Sequence, residues 1–232
     1  MTHRALSLST AALLTALSAA PQASAEPHAG RAAVDSQASR QVFDILREGK
    51  TVGSHELERR MDGELIRVAV TSQIEVRFLA LTLYRLAYRA QETWDRQGLR
   101  SLRVSLDDDG ERRDLHGQRQ GDVFEWVSGE QRYQHPMPVF PTNHWNPAVL
   151  QQDQVLNTLT GEINRVEIAE VSREPFALPS TATPATRYRY SGDLQLESWY
   201  DDHGRWLGMR FRSDDGSLIE YRCRDCAHGL EM

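Results

Sequence analysis

Cys223 and Cys226 are the only cysteines in the chain, and His228 follows two residues after the second. Three chemistries want that spacing. Two thiolates and an imidazole are three of the four ligands of a tetrahedral zinc site, with Asp225 or a second subunit as the fourth. A redox couple would sit between a strand and a helix, and no such unit is expected here. Haem attachment needs histidine directly after the second cysteine, where Ala227 stands instead. In an exported chain, thiols this close oxidise readily, so a Cys223–Cys226 disulfide is the favoured reading. Zinc held by Cys223, Cys226 and His228 is the alternative, and no other cofactor is expected. A loop this small constrains the unfolded chain weakly, so the pair would act as a local staple.

The second candidate is the stretch PTNHWNP. His144, between Asn143 and Trp145, could present an imidazole beside an aromatic wall, as a general base or a ligand-orienting group. The competing reading is that Trp145 plugs the loop into the core while Asn143 and His144 satisfy its backbone. Glu92 and Glu197 form a third candidate. They open the similar stretches ETWDRQGLRSLRVSLDDDG and ESWYDDHGRWLGMRFRSDDG. Facing each other they could be an acid/base pair; the more ordinary expectation is that each tryptophan packs and each glutamate pairs with a cross-strand arginine.

Other motifs fail on inspection. HELER at His55–Arg59 lacks the second histidine of a zinc-protease helix. SLDDDGE has His116 where a calcium loop needs its bidentate glutamate. No nucleophile elbow, phosphate-cradling glycine loop or dinucleotide fingerprint occurs.

The elements that must position these residues alternate with period two. Ile66, Val68, Val70, Ser72, Ile74, Val76 and Phe78 share one phase, and Arg67, Ala69, Thr71, Gln73, Glu75 and Arg77 the other, which buries one strand face and wets the other. At ~3.3 Å per residue the segment could run about 40 Å, a length that bends around a barrel or half-barrel. Tyr84, Leu86, Tyr88, Ala90 and Trp94 then share a face opposite Arg85, Arg89, Gln91 and Asp95. A helix competes over Leu79–Ala90, where leucines fall at three- and four-residue spacing; the flanking aromatic and β-branched content favours strands.

Turns are expected at Glu48-Gly49, Asp62-Gly63, Gln97-Gly98, Asp109-Gly110, His203-Gly204 and Asp215-Gly216, separating roughly ten candidate strands. The expected fold is all-β with minor α content: a long-stranded antiparallel up-and-down meander, forming a barrel or half-barrel. Between Gln134 and Gln152 four prolines exclude a central strand and require a crossing loop, with Asn146 capping a short helix from Pro147 to about Gln152. EPFALPSTATP reads as a second proline-containing loop.

Residues 1–25 have the form of a secretory signal: Arg4, the apolar run Ala11–Ala20, then Ala23-Ser24-Ala25 before Glu26. Cleavage after Ala25 would leave a soluble exported chain, periplasmic in a bacterium, with a flexible leader over 26–39 and one β-rich domain over 40–232. No later stretch is apolar enough for a membrane-spanning helix. A net charge of −6 opposes sequence-independent nucleic-acid binding, which rests on neutralising phosphates.

On the stretches FDILREGKTVGSH, QETW, PTNHWNP, YRYSGDLQLESWYDDHGRWLGMRF and YRCRDC, the chain resembles a bacterial exported family catalogued as domain of unknown function 6134. That resemblance implies a secreted β-protein and supplies no catalytic residues. More loosely, the long strands resemble half-barrels that carry lipids across the periplasm, an analogy of architecture. The leading expectation is a non-enzymatic binder of an apolar, lipid-like ligand in the concave face, lined by Tyr84, Tyr88, Trp94, His144, Trp145, Tyr188, Tyr190 and Trp199. A structural protein with a filled core is the first alternative. An enzyme or zinc protein using His144 or the Cys223/Cys226/His228 group is the second.

Overall fold

The computed structural model describes residues 38–79 and 81–226. The proposed signal, most of the leader and His228 lie outside these residues. Alternation of apolar and polar side chains dictates extended chain almost throughout, and fourteen strands result. They are β1 (Ala38–Arg47), β2 (Lys50–Asp62), β3 (Leu65–Phe78), β4 (Leu81–Asp95), β5 (Gly98–Asp108), β6 (Glu111–Gln120), β7 (Val123–Ser128) and β8 (Gln131–Pro136). The remainder are β9 (Gln154–Leu156), β10 (Ile163–Ala177), β11 (Ala182–Gly192), β12 (Leu196–Asp201), β13 (Trp206–Arg212) and β14 (Leu218–Cys226).

All fourteen belong to one antiparallel sheet, ordered β8-β7-β6-β5-β4-β3-β2-β1-β14-β13-β12-β11-β10-β9. Every neighbour is sequential except β1 with β14, which places the two ends of the described chain side by side in mid-sheet. The meander expected from the sequence is present. No backbone ladder joins the edges β8 and β9; side chains reach across instead, with His135 Nε2 2.9 Å from Gln154 Oε1 and Trp126 Nε1 donating to the Gly161 carbonyl at 2.8 Å. The sheet is therefore rolled but open.

The turns follow residue chemistry. Glu48 and Gly49 both adopt positive φ (48° and 75°), as do Asp109 and Gly110 (51° and 97°). That pairing matches the twist of a two-residue hairpin. Asn146 caps a 3-10 helix at Pro147–Gln151, its side chain accepting from the Ala148 N–H at 3.1 Å.

Three expectations need correction. The strands number fourteen, because β6 to β9 are too short or too polar to stand out by alternation. EPFALPSTATP is mostly strand: Glu174–Ala177 ends β10 and Ala182–Pro184 begins β11, with Pro175 opposite Pro184, and only residues 178–181 turn between them. Both prolines lie beyond the ladders of the flanking strands, since β9 pairs only with Ile163–Arg165 and β12 ends opposite Ala185. A missing N–H is tolerated on such an edge. Finally, β1 starts at Ala38, so the last two residues assigned to the leader belong to the sheet, and Ser39 is buried.

The segment between β8 and β9 enters the concave side. Val139, Phe140, Trp145 and Val149 from this segment join Leu57, Val68, Val70, Tyr88, Trp94 and Leu102 from the sheet in one apolar cluster. Thr142 N donates to the Leu156 carbonyl at 3.0 Å and Leu156 N to the Phe140 carbonyl at 2.8 Å, which ties the segment to β9. A second cluster at the β1–β14 seam gathers Phe43, Tyr200, Trp206 and Cys223.

Candidate functional site

Polar residues in the buried phase of a strand mark where the interior departs from a plain apolar core. Six occur on four adjacent strands: Ser39 and Gln41 on β1, His55 and Arg59 on β2, Ser72 on β3 and Glu92 on β4, all buried. Register aligns the last four. Phe43, His55, Ser72, Tyr88 and Leu106 form one cross-strand row, and Arg59, Val68, Glu92 and Leu102 another.

Asn143, His144 and Trp145 descend onto these rows. Glu92 is 2% exposed and accepts three hydrogen bonds: Trp94 Nε1 at 2.6 Å, Trp145 Nε1 at 2.7 Å and Asn143 Nδ2. Burial pushes its carboxyl above the usual range, while the three donors pull it back. Asn143 Oδ1 accepts from the Tyr88 hydroxyl at 2.8 Å, and that hydroxyl lies 2.9 Å from Thr158 Oγ1. A polar chain thus runs from Thr158 through Tyr88 and Asn143 to Glu92. The Trp145 ring also lies under the Arg59 guanidinium, 5.8 Å from its centroid. Arg59 Nε donates to Ser39 Oγ at 3.2 Å, and no acidic side chain pairs with it among the described residues. Burial, with the nearby Arg205 charge, lowers its pKa.

His144 turns the other way. Its backbone is left-handed (φ 58°), which reverses the side chain relative to its neighbours, and its carbonyl accepts from Tyr200 Oη at 2.8 Å. The ring packs against Trp206 and edge-on to Tyr190, both centroids 5.7 Å away. His55 meets the same indole at 5.5 Å and holds Ser72 Oγ at 2.7 Å through Nδ1. Among the described residues, His55 Nε2, His144 Nδ1 and the Tyr190 hydroxyl find no hydrogen-bond partner within bonding geometry. Burial lowers the imidazoles to about 3 for His55, with a contribution from His144, and about 4 for His144. Both are neutral near pH 7.

Of the expected pocket residues, Tyr88, Trp94, His144, Trp145 and Tyr190 are buried together inside, where the crossing segment covers them. Tyr188 is half-buried on the same face, edge-on to Tyr200 at 6.0 Å. Tyr84 lies half-buried farther along β4. Trp199 is elsewhere: it pairs across from Arg187, on the opposite face from Tyr188 and Tyr190, and packs on Phe176, with Arg210 5.2 Å over its ring. The alternative in which Glu92 faces Glu197 fails for the same reason. Glu197 faces outward onto Arg187, Arg189 and Arg210, as expected for an ion-paired strand residue, whereas Glu92 faces inward and meets no arginine. Identical Glu-x-Trp spelling fixes that both side chains share a face; strand register decides which face.

Sequence reasoning missed His55, Arg59 and Thr158 as members of this interior, and gave Asn143 only a loop-backbone role. The first two carried a signal, polar side chains in phase with the buried Leu57. The sulfurs of Cys223 and Cys226 lie within disulfide-bonding distance, with Cα atoms 5.9 Å apart. The described residues contain no group of three or more His, Cys, Asp or Glu side chains arranged to hold a metal ion. Nor does any described helix have the length and apolarity to cross a membrane.

The arrangement is a network of fixed donors and acceptors that locks a loop into a rolled sheet. Glu92 has its acceptor capacity committed to three N–H groups, and His144 is 4% exposed. Open depressions lie outside it; one of about 1120 Å³ spans β3–β8 and is lined by Arg67, Gln91, Arg103, His116, Gln118 and Arg132.

The fold has a counterpart in the crystal structure of a beta-barrel-like protein of domain of unknown function DUF1849 from Brucella abortus. The TM-score is 0.54 at 9% identity, over 82% of this chain and 97% of that one. No curated protein matches. A family model matches residues 43–224. The chain belongs to the family described as domain of unknown function DUF6134.

Proposed function

We propose that this is an exported, non-enzymatic envelope protein whose concave face is occupied by its own crossing segment, so that it acts through its outer surface as a structural or adaptor β-protein. One observation carries this reading: Glu92, at the centre of the concave face, accepts from Trp145 and Asn143 of that segment and is 2% exposed. Displacing the segment would strand a buried carboxylate and expose Val139, Phe140, Trp145 and Val149, each buried Val or Phe side chain alone contributing about 1.5–3 kcal/mol. Export rests on the signal-like residues 1–25.

The rival reading holds an apolar, lipid-like ligand against Tyr88, Trp94, Tyr188 and Tyr190. It requires the segment to leave the core. Native mass spectrometry of protein recovered from the producing cells separates the two. The filled-core reading expects the bare mass of the chain beginning at Glu26. A stoichiometric lipid adduct that leaves on denaturation would overturn it.

A further inference from the structure

Strands β3 and β4 outrun their neighbours. Pairing of β2 with β3 ends at Gly53–Ile74, and pairing of β5 with β4 ends at Leu86–Asp108. The last outside tie is the Asp109 N–H to the Arg85 carbonyl at 2.7 Å. From Glu75–Arg85 outward the two strands pair only with each other, as Val76–Tyr84, Arg77–Thr82 and Phe78–Leu81. A two-stranded ribbon therefore projects from the sheet.

Its side chains break the rule followed elsewhere. On β4 the outward phase reads Arg89, Ala87, Arg85 and then Leu83, where a bulge shifts the register so that Leu81 pairs across from Phe78 on the other phase; both phases thus end in an exposed leucine. Leu79, Leu81 and Leu83 are 88%, 67% and 58% exposed, three of the five large exposed hydrophobics among the described residues. Leu79 holds a left-handed turn position at φ 55°. A charged collar sits at their base, with Arg77, paired across from Thr82, reaching up among them. Arg77 and Arg85 are each 66% exposed and both reach Glu75, while Asp107 and Asp109 of the neighbouring turn line the same recess as Glu75 and Arg85.

We propose that this ribbon inserts its leucines into a surface of zwitterionic lipid. Leu83 stands two residues beyond Arg85, about 7 Å, and Leu79 four beyond Glu75, about 13 Å. With the collar level with the headgroups, Leu83 reaches the depth of roughly 5–10 Å at which interfacial apolar side chains reside, and Leu79 lies a little beyond it. The collar carries both signs, matching the phosphate and the ammonium of a zwitterionic headgroup, whereas its acidic members oppose a strongly anionic one. A protein cleft would demand a shaped partner; a ribbon with exposed leucines at its tip needs only a fluid apolar phase. The ribbon lies outside the rolled sheet, so the proposal stands whether or not the interior takes a ligand.

The test is flotation of the full chain with phosphatidylcholine–phosphatidylethanolamine vesicles, against the triple variant Leu79→Ser, Leu81→Ser, Leu83→Ser. Wild type is expected to float with the vesicles, largely independent of salt, and the variant to partition at least about tenfold less with an unchanged thermal midpoint. Leu81→Cys carrying a polarity-sensitive fluorophore is expected to shift to the blue when vesicles are added. Wild type left in the aqueous fraction, equal flotation of the variant, or an unresponsive fluorophore each overturns the proposal.

Discussion

Trp145 Nε1 donates to Glu92 Oε2 at 2.7 Å, across 53 residues of sequence. This contact joins the crossing segment to the centre of the sheet. The same indole places its ring under Arg59, so one side chain separates a buried carboxylate from a buried guanidinium. Neither charge is paired with an opposite charge; each is held by the aromatic between them and by neutral donors or acceptors.

Removing the acceptor should cost most. Glu92→Ala leaves the N–H groups of Trp94, Trp145 and Asn143 without a partner in a dry site, and each orphaned donor costs roughly 1–3 kcal/mol. A loss of about 3–5 kcal/mol is expected by urea denaturation. Glu92→Gln, which keeps one carbonyl acceptor, should lose less.

Trp145→Phe isolates the hydrogen bond from the packing. It should cost about 1.5–3 kcal/mol for a bond to a charged acceptor, and the cost should nearly vanish in a Glu92→Leu background. A double-mutant cycle in urea measures this; additive losses would show that the indole N–H contributes nothing through Glu92.

Arg59 should behave in the opposite sense. A guanidinium buried without an acid gains little, and its stem packs as an apolar chain. Arg59→Met is therefore expected to leave the thermal midpoint unchanged or raise it.

The histidines set an acid limit. In the unfolded chain both titrate near 6.5; in the fold burial depresses His55 to about 3 and His144 to about 4. The unfolded state then binds more protons between these values, so stability falls as pH drops below about 6.5 and levels off below about 3. Glu92 works against this: its raised folded pKa favours the fold relative to high pH as the carboxyl protonates. With two imidazoles against one carboxyl, the thermal midpoint should decline between pH 7 and pH 4. His144→Asn, which tolerates the left-handed backbone, should flatten that decline.

Reduction of Cys223–Cys226 should matter little. A four-residue loop restricts the unfolded chain by about 2 kcal/mol at most. Thermal scans with and without a thiol reductant should differ by only a few degrees.

The sequence by itself determined what depends on neighbours in the chain. Alternation from Ile66 to Trp94 assigned inward and outward faces, because a strand's side-chain period is two and burial selects one phase. The Asp109-Gly110 turn and the Asn146-Pro147 cap were legible because each is satisfied within a few residues. The leucine spacing that let a helix compete over Leu79–Ala90 arises where exposed leucines cluster at the end of a projecting ribbon, and the strand reading favoured there holds, with β4 at Leu81–Asp95. Only the tertiary structure decided that Glu92 faces inward and Glu197 outward, though both open with Glu-x-Trp. It alone decided that Asn143 and Trp145 fill the concave face and that His55 and His144 share Trp206. Those outcomes rest on register and on contacts between residues more than fifty positions apart. Local propensity carries no term for such contacts; they form only once the sheet has rolled and a proline-rich segment finds the one interior acceptor that satisfies it.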